Sequence, residues 1–313
     1  MARSAAEGRN RDLPETPMPA FDDCAAAPAI WRCGRFSLSL NRVRIMGVLN
    51  VTPDSFADGG RYTQLDAALR HARQMIDEGA DIIDIGGEST RPGAASVSEE
   101  EEMRRVLPVL RALQGARVPI SVDTSRPGLM RAALEEGASI INDVRAFRFD
   151  PMMEAVRDSD CGIVLMHMQG EPGTMQRQPV YHDVVGEVGA WLSRRRDEAM
   201  AAGVARERIV VDPGFGFGKT HAHNRQLLSR LRELVPIGQA LLVGLSRKST
   251  LGEITGRSTQ ERLSASLAAA LIAIAGGARI VRVHDVAATR DAVAVWEAVQ
   301  AERRPAPESE GST

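Results

Sequence analysis

The chain reads as an α/β protein, a single-domain (β/α)8 barrel, and three features of the sequence say so. Short Val/Ile/Leu-rich runs alternate eight times with longer Ala/Leu/Glu/Arg segments of 3.6-residue period. Nearly every apolar run ends in a polar residue. The alternation fills roughly the 250 residues such a barrel occupies. Eight strand–helix units favour closure over an open doubly wound sheet, which periodicity by itself does not exclude.

The predicted strands cover residues 43–49, 81–85, 119–122, 139–141, 162–166, 209–211, 240–243 and 280–283. Helical periodicity covers 65–78, 99–113, 126–136, 184–202, 260–274 and 286–299. A run at 36–40 is expected to pair with the first strand across Asn41, as a hairpin closing the barrel floor. Residues 1–35 are rich in Ala, Pro and charge without periodicity and read as a disordered extension. The barrel then occupies 36–302, and 303–313 read as a flexible tail.

Composition narrows the function classes. The chain has 313 residues, with 39 Lys and Arg against 41 Asp and Glu, a net charge of −2. That balance provides no basic field to recruit nucleic acid or an anionic membrane. The N-terminus carries Glu7, Asp12 and Glu15 with no apolar core, so neither a secretory nor a transit peptide is expected. The most apolar stretch, 265–278, contains Ser266, Gly276 and Gly277 and falls short of a bilayer span. Cys24, Cys33 and Cys161 fit no zinc or redox spacing and agree with a reducing compartment. A soluble, cytoplasmic protein is expected.

A barrel of this kind carries its chemistry at the C-terminal ends of its strands. The apolar runs end there in Asn50, Asp84, Asp123, Asn142, His167, Asp212 and His284, and Ser246-Arg247-Lys248 follows the seventh. One strand-end Asp is commonly a helix cap or turn residue, but the set converges on one rim. The stretch from Asp212 to Thr220, with glycines at 214, 216 and 218, resembles a phosphate loop. A Walker A loop needs a glycine five residues before Gly218, and that position is Pro213. The glycines instead permit an unusual backbone path, with Asp212 facing the pocket and Phe215 or Phe217 at its wall.

Anion binding has better candidates. Arg91 follows the second strand, and Arg282 and His284 lie two apart on the eighth, on one face. A guanidinium on a barrel strand needs an anion, either a structural carboxylate or a ligand phosphate. The pairing with His284 favours the phosphate. His221 and His223 follow a turn and read as the start of a solvated helix rather than a metal site. His71 falls on the surface or core edge of an amphipathic helix.

These stretches resemble the signatures of the dihydropteroate synthase family from Met46 to Ala301. They are Met46–Gly60, Asp84–Gly93, Ser121–Thr124, Ile141–Val144, Met166–Gly170, Asp212–Gly218, Ser246–Ser249 and Arg282–Asp285, in the family's order. The resemblance implies a transferase that joins 6-hydroxymethyl-7,8-dihydropterin pyrophosphate to p-aminobenzoate, giving 7,8-dihydropteroate and pyrophosphate. It further implies a pterin site of Asp123, Asn142, Val144, Met166, Asp212, Phe217 and Lys248. The pyrophosphate site would be Asn50, Thr90, Arg91, Arg282 and His284, with Asn50 holding Mg2+. The p-aminobenzoate site would be Thr90, Arg91, Pro92, Phe217, Lys248 and Ser249. Asp123, Lys248, Arg91, Arg282 and His284 would carry the chemistry. Asp123 would stabilise a pterin methylene cation, and no covalent nucleophile is needed.

The family also implies a homodimer, with the last three helices as interface and the Ala-rich segment 264–274 as a close-packing face. Three rivals make different demands. A pterin-binding methyltransferase module should lack the paired Arg91 and Arg282–His284 pyrophosphate site. A non-catalytic homologue acting as a partner protein should have lost loop or anion residues. A phosphate-binding barrel isomerase should lack the Asp212–Asn142 pair.

Overall fold

The structure, a computed structural model, describes residues 27–52, 61–88, 97–171 and 173–302. Barrel strands β3 (Arg44–Asn50), β4 (Ile82–Gly86), β5 (Ile120–Asp123), β6 (Ile140–Asp143), β7 (Gly162–Met166), β8 (Ile209–Asp212), β9 (Ala240–Val243) and β10 (Ala278–Val283) run parallel in sequence order. The last pairs with the first and closes the sheet, which settles the barrel against the open sheet. Between the strands lie α1 (Arg61–Asp77), α2 (Glu99–Ala112), α3 (Pro127–Glu135), α4 (Asp150–Arg157), α5 (Val184–Ala201) and α6 (His221–Ser229). A pair, α7 (Ser249–Thr255) and α8 (Leu263–Ala275), precedes β10, and α9 (Val286–Glu302) follows it.

Local chemistry sets these boundaries. Ser98 caps α2 by accepting from Glu101 N, and Glu99 to Glu102 put negative charge in its first turn. Pro127 opens α3, where its missing N–H costs nothing.

Strand alternation divides the interior in two. Outward residues such as Ile45, Ile83, Val122, Ile141, Ile163 and Val211 form the large core under the helices. Inward Met46, Ile82, Ile140, Val164, Val210, Leu242 and Ile280 fill the lower barrel. Two residues further along each strand, the inward positions become Val48, Asp84, Asn142, Met166, Asp212, Gly244 and Arg282. The barrel is thus dry below and polar at its upper rim.

The floor differs from the sequence expectation. Phe36 lies in β2 (Phe36–Ser39), which pairs antiparallel with β1 (Ile30–Cys33) rather than with β3. This hairpin also places ordered strand inside the segment read as the N-terminal extension. The reason is Trp31. It is 1% exposed, packs with the lower barrel layer, and donates Nε1 to Arg208 O at 2.9 Å. The hairpin plugs the barrel. Trp31→Ala is expected to lower stability by about 3–5 kcal/mol. Chemical denaturation measures it, and a loss below about 1 kcal/mol would contradict the plug.

Candidate active site

Arg282 organises the rim. Its Nε donates to Asp84 Oδ2 at 2.7 Å and its Nη2 to Asp123 Oδ2 at 2.9 Å. Asn142 Nδ2 reaches the same Asp84 oxygen at 3.3 Å. Register explains the cluster, since Asp84 pairs with Ser121 and Asp123 with Asn142 on adjacent strands. Burial raises the Asp123 carboxyl well above its ordinary range; Arg282 opposes the shift, and the charges of Asp84, Glu102 and Asp143 add to it. Arg282 is itself held firmly protonated: burial disfavours its charge, but Asp84 and Asp123 outweigh it.

Asp212 closes the layer from the far side. Burial raises its pKa, opposed by a hydrogen bond from Gly214 N and by the charges of Lys248, Lys219 and Arg282. The Gly214 bond is 2.7 Å long. Lys248 sits with Nζ 2.6 Å from Phe215 O and 4.3 Å from the centroid of the Phe217 ring. Burial pulls it down to about 8 against the attraction of Asp212. Val144, Met166, Met168 and Met175 form a separate apolar cluster against Phe217. The site therefore pairs a polar, acceptor-rich wall with apolar faces on which a flat heterocycle can lie.

The glycine stretch does what the failed Walker pattern leaves open. Gly214 has φ +68°, and a Cβ there would collide with the His167 carbonyl. The loop lies directly on the end of β7. Buried Lys219 bridges the two, with Nζ at 2.9 Å from His167 Nδ1, 2.9 Å from Gly214 O and 3.1 Å from Phe217 O. Burial, then the Lys219 charge, lowers His167 to about 2, so it stays neutral and accepts.

Asn50 ends β3 and His284 follows β10, where His284 Nδ1 lies 3.0 Å from Ser246 Oγ. A cavity of about 490 Å³ opens on this side, lined by Asn50, His284, Arg247, His71 and the first turn of α9. Arg247 holds a left-handed conformation (φ 59°) and is tied to Asp285. Ser249 opens α7 beside Lys248. Thr90, Arg91 and Pro92 lie outside the described residues. Among the described residues, no cluster of three or more His, Cys, Asp and Glu side chains could hold a metal.

The structure brings Asp123, Asn142, Arg282, Asp212, Lys248, Val144, Met166 and Phe217 to one end of the barrel, as expected. His167 departs from the strand-end pattern. It sits one residue past inward-facing Met166, and its ring packs edge-on against Trp191. Sequence reading left Asp84 and Lys219 without a role. It also passed over Asp143, which accepts from Ser125 Oγ, Arg145 N and Phe147 N. His221 and His223 open α6, where His223 belongs to the cap.

A family model described as "Pterin binding enzyme" matches residues 46–284. The chain is 54% identical over 277 residues to the dihydropteroate synthase of Neisseria meningitidis serogroup B, covering 86% of this chain and 97% of that one. The chain belongs to the dihydropteroate synthase family. Its architecture matches solved members of that family. The Burkholderia cenocepacia dihydropteroate synthase complexed with 7,8-dihydropteroate superposes with TM-score 0.81 at 50% identity, over 88% of this chain and 98% of that chain. The Xanthomonas albilineans dihydropteroate synthase with 4-aminobenzoic acid gives TM-score 0.82 at 50% identity, over 87% and 98%.

Proposed function

We propose that this barrel condenses 6-hydroxymethyl-7,8-dihydropterin pyrophosphate with p-aminobenzoate to give 7,8-dihydropteroate and pyrophosphate. The observation that supports this best is the rim layer, where Asp123, Asn142 and Asp212 share one ring of positions with Met166 and Arg282. A pterin edge is a row of N–H donors like a guanidine, and Asp212 offers it a carboxylate. Val144 and Met166 cover the ring faces, and Lys248 serves the ring carbonyl side.

The reaction breaks the bond between the pterin methylene carbon and the pyrophosphate oxygen, and the electron pair departs with pyrophosphate. Asp123 opposes the positive charge left on the pterin, while Arg91, Arg282 and His284 would neutralise the charge developing on the leaving group. The amine of p-aminobenzoate then attacks the methylene carbon and loses a proton. Phe217 would lie against its ring, and Lys248 and Ser249, with Thr90 and Pro92, would receive the rest of it.

Mg2+ fits the donor set, because it binds through one or two protein oxygens and takes its other ligands from water and phosphate. Asn50 would hold it, and it would supply charge neutralisation of pyrophosphate.

If leaving-group contacts assemble the second pocket, p-aminobenzoate should bind weakly alone and clearly once pyrophosphate and Mg2+ are present. Calorimetric titration tests this. Equal affinity in both conditions rules the ordered scheme out.

The reading extends to a homodimer. Ile254 on α7, Ile272 on α8, and Val295 and Val299 on α9 are all more than half exposed, at 58%, 51%, 67% and 51%. Light scattering at micromolar concentration is expected to report two chains, and a strict monomer contradicts it. A cytoplasmic location accords with the free, buried Cys33 and Cys161.

A further inference from the structure

Asp84 lies fully buried under the rim, and one of its oxygens, Oδ2, takes both Arg282 Nε and Asn142 Nδ2. Its other oxygen, and Ser121 Oγ beside it on β5, have no hydrogen-bond partner among the described residues. An amide is ambiguous by shape, since its O and N are nearly the same size. Its neighbour decides which end faces where. A carboxylate ion-paired to a guanidinium can only accept, so the atom that Asn142 turns toward Asp84 must be its NH2. Its carbonyl oxygen is then left for the ligand, and no described residue donates to it.

We propose that Asp84 is a positioning residue that sets the polarity of heterocycle recognition. By fixing Asn142 with its carbonyl toward the pocket, it makes the site an all-acceptor wall with Asp212, demanding a ring that presents amino and N–H donors there. The inference rests on the pterin-site reading and adds its specificity. A pteridine carrying a 2-oxo group in place of the 2-amino group puts an acceptor against that wall, and buried like-polarity groups are left unpaired. With asparagine at position 84, the residue can donate as well as accept. Asn142 is then free to turn over and offer its NH2 to the ligand.

The test compares equilibrium binding of 6-hydroxymethylpterin and its 2,4-dioxo counterpart. Neither carries a phosphate, so the contact of Arg282 with a leaving group is not read. Wild-type protein is expected to prefer the pterin by about 10²-fold or more, and Asp84→Asn to lose at least about 10-fold of that ratio. In an Asn142→Ala background the same substitution should change the ratio by less than about 2-fold, because its effect passes through the amide. An unchanged ratio in Asp84→Asn, or an equal change in the Asn142→Ala background, overturns the proposal. Because Asp84→Asn removes one carboxylate from a buried cluster, a second measurement uses the wild-type chain. Neutron diffraction with bound pterin is expected to show an Asn142 deuteron directed at Asp84 and the Asn142 oxygen directed at the ring, and an Asn142 oxygen directed at Asp84 overturns the proposal. Wild-type protein that binds neither pteridine would instead overturn the pterin-site reading on which this rests.

Discussion

Asp123→Asn is expected to keep the fold and cut turnover by about 10²-fold or more, since it removes the negative charge set against the forming pterin cation. The fold should survive because Arg282 keeps its 2.7 Å contact with Asp84. The same variant should alter the pH profile of kcat/KM, which reports groups of the free enzyme. An Asp needed as the anion loses activity as pH falls through its pKa. Burial holds Asp123 above the usual carboxylate value of about 4, so the acid limb should lie well above that pH. Its apparent pKa belongs to the Asp84–Arg282–Asp123 group as a unit. The alkaline limb should follow Lys248, at about 8. In Asp123→Asn the acid limb should vanish. Near-wild-type turnover in that variant refutes the electrostatic role.

Asp143→Ala is expected to be the most destabilising substitution near the site, by about 3 kcal/mol or more, because it strips partners from several buried donors at once. The carboxylate accepts from Arg145 N at 2.9 Å, Phe147 N at 2.6 Å and Ser125 Oγ at 2.5 Å. Those bonds hold a turn in which Ala146 and Phe147 both take positive φ, 52° and 56°, a conformation side chains disfavour. Arg195 fastens the same turn from α5 through the Ala146 and Phe147 carbonyls. Since the turn begins at Val144, which lies in the apolar cluster with Met166, pterin affinity should fall along with stability. Thermal denaturation and pterin binding measure the two together. A variant with unchanged stability would show that the strained turn does not depend on this carboxylate.

The barrel was legible because buried parallel strands leave a compositional trace. The apolar runs at 162–166 and 240–243 coincide with β7 and β9. The floor was less legible. Residues 30–33 are too short to show a period, and only the tertiary burial of Trp31 makes them a strand. At the rim, the two-residue repeat of a strand held more than was read from it. Asn142 and Asp212 share the inward parity of Ile140 and Val210, and both face the site. His167 and Asp143 have the opposite parity and turn away. The roles of Asp84 and Lys219 depend on which neighbours sit beside them in the closed barrel. That information resides in register, and a single sequence does not carry it.

Transfer of the pterin methylene from pyrophosphate to an arylamine is read out by the release of pyrophosphate. Purified protein is given 6-hydroxymethyl-7,8-dihydropterin pyrophosphate and Mg2+, and pyrophosphate release is followed with and without p-aminobenzoate. Release is expected to be sustained and to depend on p-aminobenzoate, with one 7,8-dihydropteroate formed for each pyrophosphate. Absence of any p-aminobenzoate-dependent product would contradict it.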